Sequence, residues 1–175
     1  MRRIFLLAAT PLVLLASPAA AQSASSDGTV SINGSVAQRC LFTTPSATIS
    51  LGEMAQGGTG TNAGKLDTSK VDGQSATLVG WCNSTAATMT VQAYALLNVA
   101  TAATGFTSRV DYTATATANN VDATDDSTDA LPGTGANVNM FTGDVVVALS
   151  NAAANGLLVA GDYTGSVTVT LAPAT

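Results

Sequence analysis

Histidine is absent from the 175 residues. That removes the commonest general base and the commonest side-chain metal ligand in one stroke. Serine, threonine and aspartate are plentiful, but a hydrolytic triad needs a base beside its nucleophile, and Lys65 and Lys70 stand in polar surroundings that would not activate one. Cysteine is almost absent too: Cys40 and Cys82 are the two in the chain, too few for a zinc site without histidine. No catalytic, cofactor-binding or metal-ligating set is expected, and the chain is read as a non-enzyme. Charge is scarce at 10 % of residues, with six basic against eleven acidic side chains. Such a surface repels a phosphate backbone, so no nucleic-acid partner is expected. Aromatics make up 5 % and are spread singly, which argues against an outer-membrane barrel and its two aromatic girdles.

What is present begins with a leader. Arg2 and Arg3 precede a mostly apolar run from Ile4 to Leu15, and Ser17-Pro18-Ala19-Ala20-Ala21 supplies small residues. This is the order of a secretory signal peptide over residues 1–21, with cleavage expected after Ala21. The apolar run is shorter than the ~20 residues that span a bilayer. Export through the Sec pathway, to the periplasm and then the cell surface or an extracellular fibre, is the expected route. Without the leader, four basic residues (Arg39, Lys65, Lys70, Arg109) face the eleven acidic ones. In an exported protein an even cysteine count suggests a Cys40–Cys82 disulfide, with two free thiols as the alternative. The bond would close a loop worth roughly 4 kcal/mol in chain-entropy terms.

Period-two alternation recurs along the rest, in a composition dominated by Thr, Val, Ala, Ser and Gly. Strands are expected at 29–36, 47–51, 75–82, 88–97, 109–118, 144–149 and 163–171. Residues 57–64, 119–135 and 151–156 carry turn chemistry and read as loops, and no capped amphipathic helix stands out. About seven short, half-buried strands predict an all-β, immunoglobulin-like sandwich in one domain. Trp81, beside Cys82, is expected in the core against the disulfide.

Three constellations invite a sharper reading. Gly57–Leu66 superficially looks like a phosphate loop, but Thr59 stands where a glycine is needed and Leu66 where Ser or Thr would hold magnesium. Asp122, Asp125, Asp126 and Asp129 could offer oxygens to calcium, yet the run lacks the glycine and closing glutamate of the helix-loop-helix site, and a solvated acidic loop is the expectation. Asn33-Gly34-Ser35 and Asn83-Ser84-Thr85 match the glycosylation sequon in a chain rich in these residues.

Gly28-Thr29-Val30-Ser31-Ile32-Asn33-Gly34-Ser35-Val36 precedes Cys40; the second cysteine lies in Val79-Gly80-Trp81-Cys82-Asn83; and Gly161-Asp162-Tyr163 opens the last alternating run, to Leu171. In this order the chain resembles the spore coat protein U family, the pilin type of archaic (Csu-like) chaperone–usher pili. The resemblance implies an immunoglobulin-like sandwich that is incomplete and is completed by donor-strand complementation. Its implied partners are a periplasmic chaperone, an outer-membrane usher and neighbouring fibre subunits. It divides the chain into a donor segment at 22–38 and a pilin-like domain at 39–175. Val30, Ile32, Gly34 and Val36 would form the donor face, and Tyr163, Val167, Val169 and Leu171 the edge beside the empty groove. The acidic stretch 119–135 departs from the family pattern. The competing expectation is a secreted monomeric β-sandwich binding module, with residues 29–36 as the first strand of its own closed sandwich.

Overall fold

The computed structural model describes residues 25–173, so the leader expected at 1–21 lies outside the described residues. The chain divides into two units, Met1–Ser35 and Val36–Thr175. In the first, residues 25–35 carry no strand or helix, and every one is exposed. The alternation at 29–36 therefore does not mark a strand of this chain's own sandwich. Period two describes what a segment could present to a partner, and a strand exists only once a ladder partner is there.

The second unit is all-β, a two-sheet, immunoglobulin-like sandwich. Its strands are β1 (Cys40–Thr44), β2 (Ser75–Cys82), β3 (Thr88–Leu97), β4 (Phe106–Thr107), β5 (Arg109–Ala118), β6 (Val121–Asp126), β7 (Ala136–Asn137), β8 (Phe141–Ala153), β9 (Leu157–Leu158) and β10 (Thr164–Ala172). A single 3₁₀ turn, Thr68–Lys70, is the one helical element among the described residues, capped by the Asp67 carboxylate. One layer runs β1-β2-β8-β5-β6; the other pairs β10 with β3 and adds β7. β5 belongs to both layers. Its first two residues pair with Leu97 and Leu96 of β3, while Thr113–Ala118 lie between β8 and β6. Along β5, Val110, Tyr112, Ala114, Ala116 and Ala118 are buried and the intervening residues are not. The core is lean: alanines of β5 and β3 face Met89, Val91, Val138 and Val145.

The expected strands at 75–82, 88–97 and 109–118 form over those residues, and the last strand forms one place later, at 164–172. The others need correction. The run 144–149 is the middle of the longer β8. The short pattern at 47–51 forms no strand, and β1 lies before it; Pro45, with no N–H to donate, follows directly on the last residue of β1. Residues 119–135 are only partly loop. Asn119 and Asn120 both have positive φ, at 51° and 59°, and form the two-residue turn that reverses β5 into β6. Trp81 is half-buried and lies outside the core cluster. Successive residues of a strand point to opposite faces, so Cys82 facing inward sends Trp81 outward.

Candidate functional site

Cys40 and Cys82 are bonded to each other and stand directly opposite in the β1–β2 ladder. The bond staples a five-residue edge strand to its neighbour. β1 ends one layer and β10 ends the other, so both edges lie on the same side of the sandwich, and the seam between them is where the layers could part.

At the disulfide end the seam is shut. A Cβ on Gly80 would sit 3.1 Å from the Leu41 carbonyl oxygen, 3.1 Å from the Phe42 ring and 3.2 Å from Leu171. The missing side chain is what lets the β1 and β10 edges close over β2. Towards Pro45 the seam opens into a groove of about 400 Å³. Residues 45–49 and Leu51 form one wall and Gly165, Ser166 and Val167 the other. The floor is the inward face of both layers: Ala76 and Leu78 of β2, Val147 and Leu149 of β8, Leu96 of β3 and Tyr112 of β5. A second cleft shares Ile49, Leu51, Leu96 and Gly165 with this groove and continues along 52–55 and 158–164. Groove and cleft thus run over the core, and of the floor residues Leu96, Tyr112, Val147 and Leu149 are themselves buried. Of the residues named from the sequence as the groove edge, Val167, Val169 and Leu171 lie on β10, are only partly buried and pack against the core. Tyr163 is half-buried just before β10, and its hydroxyl contacts the carbonyl oxygens of Thr107 and Val159, each at 3.0 Å. The intended donor face is fully presented to solvent: Val30 is 85 %, Ile32 92 % and Val36 86 % exposed.

One polar group is built into the groove floor. Tyr112 is 2 % exposed, and its hydroxyl lies 2.8 Å from the Tyr94 carbonyl oxygen and 3.1 Å from that of Ser166. Burial pushes its pKa up to about 12, against a smaller opposing effect of the Tyr94 bond. The β10 register slips between Thr164 and Ser166 at this point. A Cβ on Gly165 would come within 2.8 Å of the carbonyl oxygens of both Tyr94 and Ala95, so the backbones touch there. The sequence places Tyr112 in a strand without a role; the signal is a lone tyrosine on a strand face otherwise built of Val and Ala.

The opposite side of the sandwich is sealed, and the acidic stretch does the sealing. β3 is paired along its full length with β10, but on its other side only at Leu96–Leu97 with β5 and Thr88–Met89 with β7. Between them, the Ala93 N–H donates to Asp125 Oδ2 at 2.8 Å, and the Gly133 N–H donates to the Val91 carbonyl at 2.9 Å. Gly133 packs so closely on the Thr124 carbonyl that a Cβ would overlap it. Two of the other three carboxylates are engaged as well. Asp122 accepts from the Thr117 hydroxyl at 2.6 Å, and Asp126 from the Thr113 and Thr128 hydroxyls and the Thr128 N–H. The Thr128 hydroxyl bond, followed by its N–H, lowers the Asp126 pKa. The expected solvated acidic loop is therefore, over its first half, a hydrogen-bonded strand. Among the described residues no group of three or more His, Cys, Asp or Glu is placed to hold a metal ion. In the glycine-rich stretch at 57–66, the Lys65 amine donates to Asn62 Oδ1 at 3.3 Å. Of the two sequon asparagines, Asn33 is exposed and Asn83 is hydrogen-bonded to residues 37 and 39.

Comparison with family models, with curated proteins and with solved structures returns no match. The fold and site define a class by themselves: a disulfide-stapled β-sandwich, closed along one side by Asp125 and Gly133 and grooved over its core along the other.

Proposed function

We propose that this chain is a structural subunit of a bacterial surface fibre, built by the chaperone–usher route, in which the N-terminal segment of one subunit completes the sandwich of the next. The observation that carries the reading is the groove whose floor is the hydrophobic core of the domain. A groove over core side chains lies beside β10, which pairs on one side only, with β3, and unpaired edges recruit strands. The proposed filler is Gly28–Val36, which spans about 30 Å as a strand, the length of β10. Its Val30, Ile32 and Val36 would leave water for the groove, each contributing about 1.5–3 kcal/mol, and Gly34 would pass where the gap is narrow. The edge strand would be Tyr163–Leu171; Gly165, Ser166 and Val167 line the groove beside the incoming chain, and Val169 and Leu171 continue the edge towards the end closed over Gly80. On this reading the chain resembles the spore coat protein U family in function as in residue order. It would be secreted and would meet a periplasmic chaperone, which covers the groove first, and then an outer-membrane usher. The seal at Asp125 and Gly133 is compatible with the reading, because it leaves the groove beside β10 as the place for an added strand.

The experiment is titration of the purified chain with a synthetic peptide of residues 28–36, followed by sizing and electron microscopy. A fibre subunit binds the peptide, gains thermal stability, and without it self-associates into linear chains. A monomer that ignores the peptide and stays monomeric at high concentration refutes the proposal and favours a secreted binding module.

A further inference from the structure

At the N-terminal end of the domain, the Asn83 side chain makes two of the bonds that fasten residues 37–39. Asn83 follows Cys82, so it stands opposite Arg39, one place beyond the last bonded pair of the β1–β2 ladder. The Arg39 N–H donates to Asn83 Oδ1 at 2.6 Å, and the Asn83 N–H donates to the Arg39 carbonyl at 3.0 Å. The Asn83 amide nitrogen then donates to the Ala37 carbonyl at 3.0 Å. Next to it, the buried Ser84 hydroxyl donates to Gln38 Oε1 at 3.0 Å. A carboxamide is the neutral side chain that offers both a donor and an acceptor from one rigid plane. Here it does what a neighbouring strand's peptide group would do, holding an N–H and a C=O two residues apart. Immediately before this clamp, Val36 is 86 % exposed.

We infer that Asn83 is a positioning residue: it fixes where residues 28–36 leave the domain, so that each subunit of the fibre is held to the next at a set orientation. The inference rests on the fibre reading. Without the carboxamide, the Arg39 N–H and the Ala37 carbonyl lose their partner, and the Asn83 N–H bond to Arg39 and the Ser84 bond to Gln38 are what remains, so the root of the tether gains freedom and adjacent domains can swing. The groove and the donor face are untouched by the change, so assembly itself should proceed.

The test uses the full chain with Asn83→Ala and Asn83→Asp. Wild-type Arg39 should show a protected backbone amide in hydrogen exchange. In N83A that amide should exchange about tenfold faster, the loss of one hydrogen bond, while Ala93 stays protected. N83D keeps the acceptor for Arg39 and loses the donor to Ala37, so its Arg39 amide should remain slow. N83A fibres should form in normal yield and, by electron microscopy, bend more sharply and variably than wild type. Equal Arg39 exchange in wild type and N83A, or N83A fibres as straight as wild type, overturns the inference and leaves the fibre reading standing. Wild-type protein that neither binds the 28–36 peptide nor forms fibres sinks the reading, and the inference with it. Should N83A lose protection at Ala93, it is misfolded, and Asn83→Leu, of similar shape and able to make neither bond, decides: fibres as straight as wild type overturn the inference, and more variable ones support it.

Discussion

Replacing Ile32 with aspartate separates a donor strand from every structural role within the chain's own domain. Ile32 is 92 % exposed, so in the isolated subunit the change is a surface substitution worth no more than about 0.5 kcal/mol, or about 2 °C in Tm. In a neighbour's groove the arithmetic reverses. The isoleucine contributes about 1.5–3 kcal/mol by burial. The aspartate forfeits that and brings a carboxyl group onto a floor of Leu78, Val147 and Leu149, where even the protonated acid costs a further few kcal/mol without a partner. A combined loss of about 4 kcal/mol or more weakens the joint by roughly a thousandfold. The assays are thermal melts of wild type and I32D, titration of wild-type protein with the 28–36 peptide carrying or lacking the substitution, and electron microscopy of the products. The expected result is an I32D subunit that melts with wild type, accepts the wild-type peptide, and fails to form chains. A mutant that unfolds would show that Ile32 is core in cis; one that still assembles would show that this face is not the donor.

Two further predictions concern the groove floor and the sealed side. Tyr112 has a pKa of about 12 in the folded state against 10.0 ordinarily, so the folded chain holds the extra proton between those values. Its stabilising effect is complete below pH 10 and is lost as pH rises through 12, up to about 3 kcal/mol. Denaturant unfolding at pH 7, 9.5 and 11 should show the decline. Tyr112→Phe should abolish that part of the slope while costing about 1–3 kcal/mol at neutral pH through the unpartnered carbonyls of Tyr94 and Ser166, and an unchanged alkaline slope would contradict the assignment. Asp125→Ala should strand the Ala93 N–H, in a residue only 1 % exposed, and lower stability by about 1–3 kcal/mol in urea unfolding. Asp125→Asn, which keeps an acceptor oxygen, should recover most of it; equal losses in both would mean that the carboxylate's contact with β3 does not matter.

Where the sequence and the fold agree, a local pattern carried the information. β2, β3, β5 and β10 alternate apolar and small polar residues over eight or more positions, and the pleat converts that alternation directly into an inward and an outward face. β6 was hidden because aspartate is depleted in strands; the inward-facing Asp125 is there for its reach to the backbone of β3, and nothing in a linear reading shows that β3 has a gap opposite it. Trp81 was misplaced by following residue type where parity relative to Cys82 was the better guide. The Asn119–Asn120 pair could have been read as a two-residue hairpin turn, since asparagine tolerates positive φ.

The sequence by itself determined the all-β class, the strands β2, β3, β5 and β10, and the presence of an alternating segment ahead of Cys40, because each of these depends on residues close together in the chain. The tertiary structure alone decided that Cys40 faces Cys82 across one ladder, that β5 joins the two layers, that Asp125 and Gly133 close one side, and that a groove runs over the core along the other. Those outcomes depend on which edges meet, and edge pairing is set by hydrogen bonds between residues a dozen or more positions apart, on which local alternation is silent.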